Sequence, residues 1–288
     1  MRQNKKIFNI DLEVVNHFGN EWAKYNYLNG IAAEALDEQF NAYTEPLDFG
    51  LFKKETSVAA DFGAGSGRWA ERLKPYFKRI YVLEPSESAF EILRKRFKSE
   101  NEFILLNEGI ESNSIPNGSL DLAMSLGVLH HIPDTKRAIK DIYTKIAPGG
   151  SFLCYLYYKV EDKSLRYRAI FFLVNIIRNL ISRMPNGFRM VAAKIIAISI
   201  YLPLAKYSMV QMNRGKDVSN IPLHHYANKP FIMLENDALD RFGTRLEQRF
   251  NKADITEMLE EAGFDLNTLK FSMGEPFWTF TISKSSNA

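Results

Sequence analysis

Residues 58–69 read VAADFGAGSGRW: an apolar run reaches an acid, Asp61, and then passes through glycines at alternate positions, Gly63, Gly65 and Gly67. A buried parallel strand is apolar on both faces, and glycine permits backbone angles that a Cβ forbids. The stretch therefore predicts a strand, a tight turn and a helix start, with main chain open to a flat or anionic ligand. Arg68 stands where the dinucleotide fingerprint G-x-G-x-x-G has its third glycine, which disfavours a nicotinamide cofactor.

Further apolar runs follow at strand-like length. The run 79–84 (RIYVLE) ends in Glu84, and a carboxylate at the end of a second strand is where nucleotide-binding folds hold a ribose diol. The runs 103–107, 120–125 (LDLAMS, continued by LGVLHHIPD) and 151–158 (SFLCYLYY, after TKIAPGG) predict three more strands. Helix-like segments separate them, which indicates an α/β chain with a mainly parallel sheet. Helices are predicted at 68–77, at 88–99 with Ser88 as N-cap, and after the N-cap Asn251 near the C-terminus.

Taken together, residues 58–158 resemble the core of the class I S-adenosylmethionine-dependent methyltransferases, and are similar to the small-molecule group that includes the ubiquinone and menaquinone enzymes. The resemblance implies a doubly wound, seven-stranded Rossmann-like α/β sheet whose last strand is antiparallel. It also implies an N-terminal helical lid at 1–50 and a cofactor-binding core at 51–158 and 251–288. The chain departs from the family core at 159–250, which is predicted to be a helical insertion cap.

The resemblance implies S-adenosylmethionine as methyl donor and S-adenosylhomocysteine as product. No His, Asp or Glu spacing suggests a metal. Glu84 would accept both ribose hydroxyls, because a carboxylate offers two acceptor oxygens. Trp22 and Tyr25, in the phrase HFGNEWAKY, are candidates to face the methyl-transfer pocket, with plain packing as the alternative. The other implied cofactor contacts are Asp61, Gly63, Ala64, Gly65, Gly67, Pro85, Ile110, Glu111, Ser125 and Leu126; for Glu111, a solvated loop acid remains the alternative.

Three histidines are candidates for the general base that methyl transfer to a hydroxyl needs. His224 and His225 are the favoured general bases, and His130 is a third candidate whose alternative is a structural role. Tyr226, Arg241 and Arg245 fall in a polar segment that precedes the final helix and are predicted to bind the acceptor, or else to join the cap to the core.

The composition of the chain limits which partners and which cellular location the sequence predicts. The chain has 288 residues, 46% of them apolar and 25% charged, with a net charge of +3 that is too small to predict a nucleic-acid partner. The basic N-terminus is not followed by an apolar segment of the signal-peptide kind, which predicts a cytoplasmic location. Cys154 lies within an apolar strand and is interpreted as a buried hydrophobe. The sequence leaves the oligomeric state open.

The insertion has an unusual charge pattern, since residues 163–216 contain ten basic residues and no acidic one. At 100° per residue, Arg178 and Arg183 fall on a polar face and Leu173, Ile177 and Leu180 on the opposite one, which predicts an amphipathic basic helix. A second helix is predicted at 188–201, and the charge-free run 195–205 is shorter than the roughly 20 residues that span a bilayer. Three interpretations stay open: a cap whose basic face is solvated, a basic pocket for an anionic acceptor, and peripheral membrane contact by a membrane-surface helix.

The predicted function is methyl transfer from S-adenosylmethionine to a small-molecule or sugar-like acceptor, at oxygen. One alternative is a non-catalytic regulator or scaffold with the methyltransferase fold. The other is a methyltransferase that acts on a lipid-linked acceptor at the membrane surface.

Overall fold

A computed structural model of the chain describes residues 9–28, 32–159, 161, 165–218, 221–272 and 277–286. The chain forms two compact units. The sheet unit comprises Met1–Gly19, Gln39–Lys159 and Leu246–Ala288, and the helical unit comprises Asn20–Glu38 and Val160–Arg245. The segment predicted as a lid, 1–50, is thus divided between the two units.

The sheet unit is built on a seven-stranded sheet of order β3-β2-β1-β4-β5-β7-β6. Strand β7 is antiparallel to both neighbours, whereas β1 to β5 are parallel, so the predicted doubly wound sheet with an antiparallel last strand is confirmed. The strands are β1 Val58–Phe62, β2 Arg79–Leu83, β3 Phe103–Leu106, β4 Leu120–Leu126, β5 Ile146–Tyr157, β6 Asp265–Phe271 and β7 Phe277–Ser283.

Ten α-helices accompany the strands in the described part of the chain. They are α1 Leu12–Lys24, α2 Ala33–Thr44, α3 Ala70–Leu73, α4 Glu87–Arg96, α5 Thr135–Lys145, α6 Leu165–Ile181, α7 Asn186–Ile196, α8 Leu202–Asn213, α9 Phe231–Gly243 and α10 Lys252–Ala262. A π-helical turn, Ala197–Tyr201, joins α7 to α8. Short 3-10 turns occur at Phe49–Leu51, Leu129–His131 and His224–Tyr226.

Two predicted helix starts need correction. A helix over 68–77 was expected after the glycine turn, but α3 is a single turn that begins after its N-cap Trp69 and ends at Leu73. Ser88 was expected to cap the next helix, but α4 begins at Glu87 with Ser86 as N-cap. The predicted cap Asn251 is confirmed: its side chain accepts from the backbone N–H of Asp254, whose carboxylate accepts from the N–H of Asn251.

The central strands are apolar because both of their faces are covered. Ala60, Phe62, Ala123 and Phe152 are fully buried, together with residues of α5 and α10 that pack on one face of the sheet. Strands β2 and β3 lie on one side of β1, and β4 begins the other side. The order in which strands are added to the sheet therefore reverses between β1 and β4. The carboxyl ends of these two parallel strands border the crevice where doubly wound sheets bind ligands.

In the helical unit, α6 does not divide into the two predicted faces. Of the predicted polar face, Arg178 donates to the backbone oxygen of Thr244 at 3.0 Å and Ser182 is buried, whereas Arg168 and Arg183 are exposed. Of the predicted apolar face, Leu173, Ile177 and Leu180 are exposed, whereas Ile181 is buried. The expectation of a solvated basic face therefore holds for Arg168 and Arg183 and is wrong for Arg178, and most of the predicted apolar face is not covered.

The predicted second helix is also longer than expected. Helices α7 and α8 and the π turn form one continuous helical run, Asn186–Asn213, of 28 residues instead of the predicted 188–201. By length and composition this run could cross a membrane, and 22% of its most apolar 18-residue window is buried. Arg189 ties the run to α9, because its guanidinium donates to the backbone oxygen of Gly243 at 3.1 Å.

Candidate cofactor site

The turn after β1 needs its glycines for two separate reasons. Gly63, Gly65 and Gly67 have φ angles of +79°, +56° and +79°, the left-handed region that residues with a Cβ avoid. A Cβ on Gly63 would come within 2.5 Å of the Val128 side chain, and one on Gly67 would meet Leu93 at 2.7 Å. The glycines thus let the turn lie directly against its neighbours.

Glu84 and Asp61 stand next to this turn, at the carboxyl ends of β2 and β1. Glu84 Oε2 accepts from the backbone N–H of Gly65, and its Oε1 from that of Ser86, each at 2.9 Å. The carboxylate is therefore fixed by the glycine turn on one side and by the start of α4 on the other. Asp61 is buried, and its Oδ2 has no hydrogen-bond partner among the described residues.

Both carboxyl groups titrate far from their usual range. Burial, and then the neighbouring Glu84, raise the pKa of Asp61 to about 7, against the opposing effect of the Ala70 N–H and Arg68. Burial also raises the pKa of Glu84 to about 7, although the N–H groups of Ser86 and Gly65 lower it. Two buried carboxyls with an unfilled acceptor position favour a ligand that brings hydroxyl or ammonium donors.

Strand β4 supplies the opposite wall. The Ser125 hydroxyl donates to the backbone oxygen of Phe62 at 3.1 Å and so ties β4 to the end of β1. Leu126 is nearly buried, and Gly127, at φ +78°, follows it beside the Tyr155 ring. The predicted residues Asp61, Gly63–Gly67, Glu84, Pro85, Ser125 and Leu126 all lie at this end of the sheet.

Glu111 and Ile110 lie in the loop after β3. Glu111 accepts from the backbone N–H of Asn9 at 2.6 Å and forms an ion pair with Arg137. Ile110 is half-buried against the core. Glu111 is therefore engaged in holding the N-terminal segment, and its predicted contact with adenine stays a prediction.

The N-terminal segment crosses this edge of the sheet unit. Asn9 is bonded to Asp134 as well as to Glu111, Phe18 packs on His131 with ring centroids 4.9 Å apart, and Gly19 lies against Ser86. A Cβ on Gly19 would come within 1.9 Å of the Ser86 hydroxyl oxygen. Residues 9–19 thus reach the start of α4, immediately after Glu84.

Sequence reasoning missed a set of aromatic side chains here. Tyr43 contacts both Tyr155 (5.1 Å between ring centroids) and Trp69 (5.6 Å), and Arg68 stacks over Trp69 at 4.6 Å. Tyr155 lies in β5, near the carboxyl end of the strand and next to Gly127. Strand periodicity could have identified Tyr155, but no local signal in α2 distinguishes Tyr43 from an ordinary core residue.

The predicted catalytic histidines differ in environment. His130 is fully buried and stacked on Tyr157 at 3.9 Å, and burial lowers its pKa well below the usual value. His225 keeps an exposed edge but packs on Tyr226; burial of the ring, and then His224, Arg241 and Lys229, lower its pKa to about 4. His224 is half-buried, with Nδ1 3.0 Å from the backbone oxygen of Ile221. Of the three, His224 is half-buried, whereas His130 is fully buried and His225 has a lowered pKa.

The remaining predicted residues lie in the helical unit. Tyr25 is buried, and its hydroxyl lies 2.7 Å from Lys24 Nζ, which also pairs with Glu235 at 2.8 Å; burial and Glu235 raise the Tyr25 pKa. Trp22 is half-buried. Tyr226 is buried and bonded to Asp237, Arg241 stacks on Phe171 at 5.6 Å, and Arg245 is exposed. Their contacts with cofactor or acceptor stay predictions.

Comparison with known proteins agrees with this geometry. Residues 60–154 match the family model described as a methyltransferase domain. The sheet unit contains a class I S-adenosylmethionine-dependent methyltransferase domain. An uncharacterized methyltransferase of Mycobacterium tuberculosis is 31% identical over 121 residues, 40% of this chain and 59% of that protein. A methyltransferase of Aspergillus terreus is 27% identical over 94 residues, 33% of this chain and 29% of that protein. The chain thus matches less than two thirds of the length of these curated relatives.

Solved methyltransferases share the fold. A Leishmania major S-adenosylmethionine-dependent methyltransferase superposes with a TM-score of 0.53 at 12% identity, over 94% of this chain and 80% of that one. An O-methyltransferase family protein of Burkholderia thailandensis gives 0.51 at 9% identity, over 96% and 61%.

The methyltransferase domain fits the cofactor that this family uses. The left-handed glycine turn lies beside the carboxylate of Glu84, which is held at the end of β2, and Asp61 presents an unfilled acceptor. Within the described ranges, no group of three or more His, Cys, Asp or Glu side chains is placed to hold a metal ion.

Proposed function

We propose that the protein transfers the methyl group of S-adenosylmethionine to an oxygen atom of a small or sugar-like acceptor. The observation that carries the proposal is the placement of Glu84, whose two oxygens are each fixed by a backbone N–H beside the glycine turn. A carboxylate held in this way keeps acceptor capacity for a pair of vicinal hydroxyls, as a ribose presents.

The bound sulfonium supplies an electrophilic methyl group, so the protein has mainly to bind, orient and exclude water. Glu84 would hold the ribose, the turn from Gly63 to Gly67 would lie against the methionine moiety, and Asp61 would accept from a donor at its Oδ2. Residues 9–19 would close over the same edge, as the contact of Gly19 with Ser86 suggests. These assignments give the carboxyl groups of Glu84 and Asp61 a partner on the ligand.

An oxygen acceptor with a high pKa needs a base that removes its proton as the methyl group moves. His224 suits this role better than His225, because the lowered pKa of His225 makes it a weak proton acceptor. Tyr226, Arg241 and Arg245 are proposed for the acceptor, which is expected to be anionic. A non-catalytic scaffold would not need Glu84 and Asp61 as buried carboxyls, whose burial destabilises the fold.

Calorimetry on the purified chain tests the cofactor half of the proposal. S-adenosylmethionine and S-adenosylhomocysteine should both bind, and NAD should not. An acceptor panel of sugars, phosphorylated sugars and phenols, with product S-adenosylhomocysteine as readout, then tests turnover. His224→Ala should lower kcat at least tenfold and leave cofactor affinity unchanged. Binding of NAD, or of neither sulfur compound, would rule out the proposed function.

A further inference from the structure

Exposed apolar side chains are concentrated in one part of the molecule. Among the described residues, every large apolar side chain that is exposed lies between Leu165 and Met212, with three exceptions, Leu12, Leu28 and Leu51. Soluble proteins scatter such residues singly, and a contiguous exposed set marks a site of interaction with a partner or a membrane.

Helix α6 presents its apolar face outward along its whole length. Leu165, Phe172, Ile176 and Leu180 recur at intervals of three to seven residues and so lie on one face; Leu165 is 79% exposed and Phe172 65%. The opposite face carries Arg178, which bonds to the C-cap residue of α9. A helix of a soluble protein is normally oriented the other way, with its apolar face covered.

The run Asn186–Asn213 shows the same reversal. Its buried positions are mainly small, at Ala193, Ala197, Ala205 and Ser208. Its bulky positions are exposed, with spacings of three and four: Phe188, Val191, Ile195 and Ile198, followed by Tyr207 and Val210. Small residues allow the run to pack closely on α9, and the large apolar surface is left on the outside.

The charges within the segment that carries this surface are of one sign. Residues 163–216 contain no acid, and the exposed basic residues among them are Arg168, Arg183, Lys194, Lys206, Arg214 and Lys216. A second copy of the chain docked through the same surface would bring like charges together. An anionic bilayer offers the complementary arrangement, because acyl chains receive the apolar groups while long basic side chains reach the phosphates.

We propose that this apolar surface, the exposed faces of α6 and of Asn186–Asn213, docks the helical unit on an anionic lipid bilayer. The helices lie in the interface and do not cross it. Arg189 is bonded to α9, the alanine positions are packed within the unit, and Lys194 and Lys206 are exposed on the same run. A spanning helix would place these charges in the hydrocarbon region. The inference does not depend on the proposed methyl transfer.

Sedimentation with vesicles tests the docking directly. The full chain should pellet with phosphatidylcholine vesicles that contain about 30% phosphatidylglycerol, and much less with pure phosphatidylcholine. Since the electrostatic part is screened within a few ångströms at molar salt, binding should fall severalfold between 0.05 M and 0.5 M NaCl.

Two matched pairs of variants localise the surface. Phe172→Ser combined with Ile195→Ser should weaken vesicle partitioning at least tenfold, whereas Leu51→Ser, at a site of equal exposure in the sheet unit (66% against 65% for Phe172), should not. Lys194→Glu should weaken binding to anionic vesicles, and Lys98→Glu should have little effect. All these sites are exposed, and circular dichroism should confirm that each variant stays folded.

The depth that residue 172 reaches in the bilayer distinguishes insertion of the apolar surface from purely electrostatic adsorption to the lipid headgroups. A Phe172→Trp variant should show blue-shifted emission with anionic vesicles and quenching by brominated acyl chains. The proposal is overturned by absence of vesicle binding, by equal binding of the Phe172→Ser, Ile195→Ser variant, or by retention in membranes at pH 11, which would indicate a spanning helix. It is also overturned if light scattering shows a dimer that the same variant dissociates, because the surface would then be covered by a second copy.

Discussion

Glu84 is the residue on which cofactor binding is expected to depend most. Replacing it with alanine removes a charged acceptor from two ribose hydroxyls and leaves the N–H groups of Gly65 and Ser86 without their partner. The expected loss is roughly 1.5 to 3 kcal/mol, or about ten- to a hundredfold in affinity for S-adenosylmethionine by calorimetry. Glu87→Ala, three residues further on and exposed, serves as control and should bind normally. A loss below threefold for Glu84→Ala would assign the ribose to another group.

Asp61 makes the stability of the cofactor-free protein depend on pH. Its pKa is about 7 in the folded state and near the ordinary 3.8 when unfolded, so the folded state binds the proton more tightly. This contribution is complete below the unfolded pKa and is lost as pH rises through about 7. The free energy of unfolding should therefore decrease from pH 5 to pH 8.

The Asp61→Asn substitution isolates the contribution of Asp61 to this pH dependence. The decrease in the free energy of unfolding between pH 5 and pH 8 should be smaller in the variant by on the order of 2 to 4 kcal/mol, because residue 61 no longer ionises and only Glu84 still does. Urea unfolding of both proteins at several pH values measures it. Parallel pH profiles for wild type and variant would show that Asp61 does not titrate in this range.

At the scale of elements, Gly67 is required both for its left-handed backbone and for close packing. Gly118 has only the first requirement, so a comparison of the two separates their costs. Gly67 has φ +79° and a Cβ there would meet Leu93 and Phe97 at 2.7 Å, whereas Gly118 has φ +65° with nothing within 4 Å of a Cβ. Gly118→Ala should cost about 1 to 2 kcal/mol from the left-handed backbone alone. Gly67→Ala should cost about 1 to 3 kcal/mol more because of overpacking. Equal losses in thermal or urea unfolding would mean that the α4 side chains move aside freely.

Most strands could be predicted nearly to the residue, except that β5 begins at Ile146 and not at 151, and the helices could be predicted less well. Apolar runs bounded by acids, glycines or prolines define β1, β2 and β4, since each strand is buried on both faces. The end of helix α3 at Leu73 has a signal in the sequence that the predicted range 68–77 overlooked, because Pro75 follows two residues later and cannot continue the helix. The choice of Ser86 over Ser88 as N-cap depends on how the chain leaves Glu84, which is a tertiary matter.

The orientation of α6 shows a limit of periodicity itself. The period identifies two faces, but it does not say which one is covered. Arg178 and Arg189 face inward because the last carbonyls of α9, at Gly243 and Thr244, need donors. One of the three interpretations made the basic face a pocket for an anionic acceptor; Arg178 is bonded to the C-cap residue of α9, and its contact with an acceptor stays a prediction.

At the scale of the whole molecule, the sequence predicted the cofactor crevice from the order of elements. Asp61, Glu84 and Ser125 come from different strands, and the switch between β1 and β4 brings their carboxyl ends to one edge. The aromatic residues Tyr43 and Tyr155 could not be paired in advance, because Tyr43 belongs to a helix before the sheet and no local pattern fixes its partner.

Whether the helical unit takes part in cofactor binding can be tested by hydrogen exchange. S-adenosylhomocysteine at a hundred times its Kd stabilises the state that binds it by about 2.7 kcal/mol, so amides that order around it should exchange up to about a hundredfold more slowly. Slowing is expected at 62–69 and 84–88, where the glycine turn and Glu84 lie. If Trp22 and Tyr25 face the methyl-transfer pocket as predicted, amides at 20–28 should slow in parallel, and Trp22→Ala should weaken cofactor binding severalfold. Unchanged exchange at 20–28, with slowing confined to the sheet unit, would leave Tyr25 as part of the buried network with Lys24 and Glu235 and would limit the lid to residues 9–19.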